Sequence, residues 1–149
     1  DLLRRLLEVP NIVGMKEEAL NPAYSKSILK SFGKEALIIG AGGGMSRYLT
    51  DYWYGAEAFL GGIGNFFPQL EIDFFTAMQA KNYEQAHKIV YEVEQPYFSE
   101  VVPMGWHPSL KMAIALKGLL PAFERPPFPE VSESDTEELK KVLARNNWL

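Results

Sequence analysis

The stretch NIVGMKEEALNP, Asn11 to Pro22, sets a lysine directly after an apolar run that reads as a strand over Asn11 to Met15. Successive side chains of a strand point to opposite faces, so Ile12, Gly14 and Lys16 share one face and Val13 and Met15 the other. A glycine beside Lys16 on that face leaves room next to the amine. A lysine in this place is either a solvated strand end or a nucleophile, and the neighbouring sequence bears on which.

Downstream, Pro22 to Phe32 reads as a helix stopped by Gly33, Ala36 to Ala41 as a strand, Ser46 to Tyr54 as a helix and Ala58 to Gly62 as a third strand. Short apolar runs alternating with helical patterns indicate βαβ units and a parallel sheet. Successive strands begin about 25 and 22 residues apart, room for a strand, a helix and two short loops. The class is α/β. Upstream, Leu2, Leu3, Leu6 and Leu7 have helical spacing opposite Arg4, Arg5 and Glu8, so the sequence opens on an amphipathic helix, as expected of a piece of a longer chain.

Beyond Pro68 only helical patterns follow. Leu70, Phe74, Ala77 and Met78 share one face, as do Ala86, Ile89, Val90 and Val93. SLKMAIALKGL is apolar nearly all round and is expected to be buried. After the breaker RPPFPEVSESD, Ser134 and Glu137 read as a capping box for a last helix with Leu139, Val142 and Leu143 inward and Lys140 and Lys141 facing water. The expected division is βα units over residues 1–80 and a helical extension over 81–149.

The 149 residues are 47% hydrophobic and 23% charged, enough for a core, with a net charge of −4. Basic residues form no stripe with interleaved aromatics, which argues against nucleic acid as a partner. The lack of cysteine removes disulfides, thiolate metal sites and Cys nucleophiles, and with no apolar run of membrane-spanning length a cytoplasmic address is expected and a membrane is not. His87 and His107 have no second ligand at a useful spacing, so no metal site is expected.

Two features carry chemistry. In a closed parallel barrel the face holding Lys16 is the lumen, and the carboxyl ends of the strands are where such barrels place their reactive groups. Desolvation there would supply the neutral amine needed for a Schiff base. The loop GAGGG, Gly40 to Gly44, lacks the third glycine of a dinucleotide fingerprint, since position 45 is Met45, and lacks the Gly-Lys-Ser/Thr ending of a P-loop. It reads as a tight turn or as a backbone cradle for an anion at the following helix.

NIVGMKE resembles the strand bearing the Schiff-base lysine in the dihydrodipicolinate synthase/N-acetylneuraminate lyase family, and Lys16 falls on that lysine. The likeness continues through GAEAFLGGIGNFFP, with Asn65 and Pro68 in place, KNYEQAHKI, HPSLKMAIALKGL and RPPFPEVSESDTEELKKVL. It implies a (β/α)₈ TIM barrel, of which this sequence holds the sixth to eighth strands and the C-terminal helices, because a full barrel needs about 250 residues. An N-terminal barrel half would then be missing, and the strand edges at NIVGM and AFLGG would make the segment alone poorly soluble.

The same resemblance implies class I aldolase chemistry on pyruvate or another 2-oxo acid, no external cofactor, and a homo-oligomer, tetramer or dimer. It makes Lys16 catalytic, Leu60 a substrate contact through its main-chain carbonyl, and Gly43 and Gly44 part of the substrate-binding loop. The family's relay tyrosine and its carboxylate-holding Thr/Ser pair would lie upstream of residue 1. Two segments depart from the pattern. Glu17, Glu18, Ala19 and Leu20 stand where the family often has Glu-Ala-Ser/Thr-Gly, and Gly42, Gly43 and Gly44 where it often has Gly-Asp-Asp. They motivate an alternative, a non-catalytic barrel that binds an oxo acid or sugar acid as a regulatory or structural module.

Overall fold

A computed structural model describes residues 2–19 and 21–149. The chain forms two compact units, Asp1–Gly61 and Gly62–Leu149.

The first unit holds α1 (Leu2–Leu7), β1 (Gly14–Glu17), α2 (Pro22–Phe32), β2 (Leu37–Gly40), α3 (Gly44–Asp51) and β3 (Ala58–Phe59), with a 3₁₀ turn at Tyr52–Tyr54. Among the described residues the sheet order is β1-β2-β3, all parallel, as the alternating pattern requires. Lys16 lies level with Ile39, and Ile39 with Ala58, so these three side chains share a face. The other face carries Glu17, Ile38 and Gly40, all buried. Gly14 is needed for the pairing itself, since a Cβ there would lie 2.5 Å from the carbonyl oxygen of Leu37.

Strand limits differ from those expected. β1 runs from Gly14 to Glu17 rather than Asn11 to Met15, which places Lys16 inside the strand; the chain before it turns, with the Ile12 N–H donating to the Val9 carbonyl. β2 and β3 are shorter than Ala36 to Ala41 and Ala58 to Gly62, because Gly42 and the 3₁₀ turn at Ile63–Asn65 redirect the backbone. Helix α2 starts where its chemistry says it should. Asn21 caps it by accepting the Ala23 N–H at 3.0 Å, and Pro22 occupies the first turn, where its missing N–H has no intrahelical partner to lose.

The second unit comprises α4 (Pro68–Gln79), α5 (Tyr83–Ile89), α6 (Gln95–Val101), α7 (Trp106–Leu116) and α8 (Glu133–Arg145). Helices α5 and α6 are joined by a π turn at Val90–Glu94, closed by the Gln95 N–H donating to the Val90 carbonyl. Pro96 explains the wide turn: its ring lacks an N–H and would crowd the carbonyl four residues back in a regular helix. Phe74, Met78, Ala86, Val90, Val101, Ala113, Leu139, Val142 and Leu143 form the core, with Leu70 and Val93 half-buried at its margin. None of the helices formed by described residues is long and apolar enough to cross a membrane.

Two expectations need correction. Ser132, not Ser134, caps α8, accepting the Asp135 N–H at 3.0 Å, so the helix begins one residue before the proposed cap. The apolar run at α7 is only partly buried: Ser109 and Ala113 are enclosed, Leu110, Met112 and Ile114 are half-buried, and Leu119 is exposed because the helix ends at Leu116 and Gly118 turns the chain with φ +70°.

Tyr97 sits 1% exposed between Trp148, at 5.2 Å between ring centroids, and Phe66, at 6.0 Å. Among the described residues its hydroxyl has no hydrogen-bond partner, and burial pushes its pKa up. A buried hydroxyl without a partner forfeits its hydration with nothing in return, so Tyr97→Phe should leave stability unchanged or raise it by about 1 kcal/mol. Equilibrium denaturation checks this; a loss above ~1 kcal/mol would mean the hydroxyl has a partner.

Candidate active site

Lys16 is the third residue of β1, near the carboxyl end of the strand. Its side chain is 47% exposed and its Nζ lies 2.6 Å from Glu18 Oε2. The same face of the sheet is open: Leu37 is 43% exposed, and Leu60, just past β3, is 50% exposed. The backbone of Leu60 extends the pairing, its N–H donating to the Gly40 carbonyl at 2.8 Å. Lys16 and the segment from Ala58 to Leu60 thus lie on either side of β2, with Lys16 and Ala58 on the same face of the sheet.

Gly42 and Gly43 in the β2–α3 loop and Gly44 at the start of α3 have φ of +70°, +144° and +52°, values that residues other than glycine rarely adopt. The loop delivers Gly43 as the N-cap of α3, its carbonyl accepting the Arg47 N–H at 3.1 Å. At Gly42 a Cβ would come within 2.9 Å of the Glu18 Cγ, so Glu18 lies directly over this loop.

Beneath the strands is an ionic cluster. Arg47 of α3 donates through Nε to Asp51 Oδ2 at 3.0 Å, through Nη2 to Glu17 Oε2, and through Nη1 to the carbonyl oxygens of Ala41 and, at 3.2 Å, Ala19. Ser25 Oγ donates to Asp51 Oδ2 at 3.0 Å, and the Ala19 N–H donates to Glu17 Oε1 at 2.6 Å. Glu17 and Asp51 are each 3% exposed. One guanidinium therefore ties the ends of β1 and β2 to α3 and compensates two buried carboxylates. Ala19, Pro22, Gly42, Gly43, Ser46 and Thr50 border an open cleft of about 290 Å³ above Arg47, which neither Lys16 nor Leu60 lines.

Sequence reading did not single out Arg47, Asp51 or Ser25. The available signal was the i, i+4 spacing of Arg47 and Asp51 in the helix after the glycine loop, a pattern that also fits an exposed helical pair. Among the described residues no group of three or more His, Cys, Asp or Glu side chains converges in a way that could hold a metal ion.

A sequence model of the Dihydrodipicolinate synthetase family matches residues 1–146. The chain belongs to this family. It is 28% identical over 145 residues to the 4-hydroxy-tetrahydrodipicolinate synthase of Methanospirillum hungatei, covering 97% of this chain and 49% of that protein. It is 25% identical over 147 residues to the Ralstonia nicotianae protein named "Probable 5-dehydro-4-deoxyglucarate dehydratase", covering 96% of this chain and 47% of the other. The crystal structure of dihydrodipicolinate synthase from Aquifex aeolicus superposes with a TM-score of 0.82 at 22% identity, over 99% of this chain and 49% of that one. The chain thus spans about half the length of the dihydrodipicolinate synthetase family proteins it matches, and its parallel α/β sheet is consistent with part of a barrel.

Proposed function

We propose that this chain carries the Schiff-base lysine of a lyase or synthase acting on pyruvate or another 2-oxo acid, with Lys16 as the nucleophile. The observation that carries the reading is the place of Lys16: near the carboxyl end of a parallel strand, on the open face it shares with Ile39 and Ala58, in a chain of the dihydrodipicolinate synthetase family. The β1, β2 and β3 units would be the sixth to eighth of a (β/α)₈ barrel. The remaining units, in sequence beyond this segment or on a separate chain, would close over the face that is open here, and exclusion of water would leave the amine free to react.

Neutral Lys16 attacks the ketone carbon, water leaves, and the protonated imine draws electrons from the neighbouring carbon. That electron sink permits aldol addition, aldol cleavage or dehydration of a sugar acid, outcomes that span the names of the synthase and dehydratase relatives. Leu60 would meet the bound oxo acid through its main-chain carbonyl, and Gly43 and Gly44 would offer backbone groups to the rest of the substrate. An assembly of two or four such barrels completes the proposal.

Pyruvate together with borohydride should inactivate the full-length native protein irreversibly, because reduction turns the imine into a stable secondary amine. Borohydride alone should leave it active. Equal survival of activity under both treatments would contradict the reading.

A further inference from the structure

We propose that Arg47 is a positioning residue for imine formation, its guanidinium holding the chain just after Lys16 and the glycine loop after β2 in one fixed relation; the inference rests on the Schiff-base reading of Lys16. Arg47 Nη1 donates to the main-chain carbonyl of Ala19, just past the end of β1, at 3.2 Å, and to that of Ala41, next to Gly42. These two contacts set the residue apart from an ordinary buried ion pair. Compensating Glu17 and Asp51 does not require one nitrogen to reach two neutral carbonyls on different strand ends. Both strand ends border groups proposed for the reaction: Lys16 on β1, and Gly43 and Gly44 beyond β2.

Lys16 and Glu17 are consecutive strand residues, so their side chains leave β1 on opposite faces. Whatever fixes the Glu17 carboxylate therefore fixes the backbone from which Lys16 projects. That carboxylate accepts from Arg47 Nη2 and from the Ala19 N–H at 2.6 Å, while the Glu17 carbonyl accepts the Ala41 N–H at 2.9 Å. The glycine loop has no side chains with which to hold a shape, and glycine loses more conformational freedom on folding than any other residue. Its geometry has to be imposed from outside, and Arg47 brackets it. The guanidinium takes the Ala41 carbonyl on one side of Gly42, and the Arg47 backbone N–H takes the Gly43 carbonyl at 3.1 Å on the other. A Cβ on Gly43 would lie 3.1 Å from the Arg47 Cβ, so the loop rests on this side chain. Asp51 orients the guanidinium, accepting from Nε at 3.0 Å and from the Ser25 hydroxyl of α2 at 3.0 Å on the same oxygen. Gly40 leaves room for the pair beneath β2, since a Cβ there would lie 3.1 Å from Asp51 Oδ2. Arginine suits this role because its planar fork presents donors in fixed directions, whereas a lysine ammonium is a point charge on a flexible stem.

The test is the rate of reductive trapping by pyruvate and cyanoborohydride in the full-length native protein, followed by mass. Wild type is compared with Arg47→Lys and with the triple variant Arg47→Met, Glu17→Gln, Asp51→Asn, each below its melting transition. Arg47→Lys keeps a cation between the carboxylates and loses the fork; the triple variant removes the charges together. Both should trap on the order of 10²-fold more slowly at saturating pyruvate, the scale of loss when a reacting group is displaced by about 1 Å. In Arg47→Lys the pH of half-maximal trapping should stay at its wild-type value, because the charge is kept and only the placement changes. A merely structural role predicts instead that trapping follows stability, with wild-type rates wherever the variant is folded. Wild-type rates in either folded variant would overturn the positioning role and leave the Schiff-base reading standing. Slow trapping with a shifted pH profile in Arg47→Lys would also overturn it, by making charge rather than placement the cause. Absence of any adduct in the wild-type protein would overturn both.

Discussion

Replacing Arg47 with methionine should cost about 3–5 kcal/mol of stability, the scale lost when one partner of a buried ionic cluster is removed. The residue is 13% exposed at its side chain, and its removal strands Glu17 and Asp51 without a cation in a setting that water barely reaches. The carbonyls of Ala19 and Ala41 lose a donor at the same time. If the penalty comes from uncompensated carboxylates, neutralising them should recover most of it. Arg47→Met combined with Glu17→Gln and Asp51→Asn should therefore lie closer to wild type than Arg47→Met alone, in denaturation followed by circular dichroism. A single-variant loss below about 1 kcal/mol would show that the cluster is not what joins the strand ends to α3.

Lys16→Arg should reduce turnover by about 10⁴-fold or more, as expected when a covalent nucleophile is removed. Arginine keeps the positive charge and much of the reach but stays protonated, so it cannot present a neutral amine. The substitution thus separates covalent catalysis from simple attraction of a carboxylate. Because Lys16 is half exposed and its only ion-pair partner among the described residues is Glu18, the fold should be indifferent to the change. Unchanged turnover with 2-oxo acid substrate would remove the nucleophilic role. A lost turnover with an unchanged melting curve, and with binding of an oxo acid retained, would support it.

Much of the first unit was legible because its local signals agree. Asn21 and Pro22 begin α2, apolar runs mark the strands, and the glycines at 42–44 force the turn from β2 into α3. Strand ends were less legible, since an apolar run such as Asn11 to Met15 does not reveal that pairing with β2 starts only at Gly14. The cap at Ser132 was misread because Ser132 and Ser134 are both capping residues, and only the backbone conformation, with ψ 159° at Ser132, decides between them. Lys16 was legible as a candidate from strand alternation. The Arg47 cluster was not, because it joins side chains from positions 17, 25, 47 and 51, whose convergence depends on the sheet and two helices packing together.

The most direct measurement is the location of the reduced adduct. The full-length native protein is incubated with pyruvate and borohydride, digested and mapped by mass spectrometry. The account predicts a single modification per chain, on the peptide containing Gly14-Met15-Lys16-Glu17-Glu18, and none in Lys16→Arg. Modification confined to Lys26, Lys30 or another lysine, or no modification while the oxo acid still binds, would contradict it.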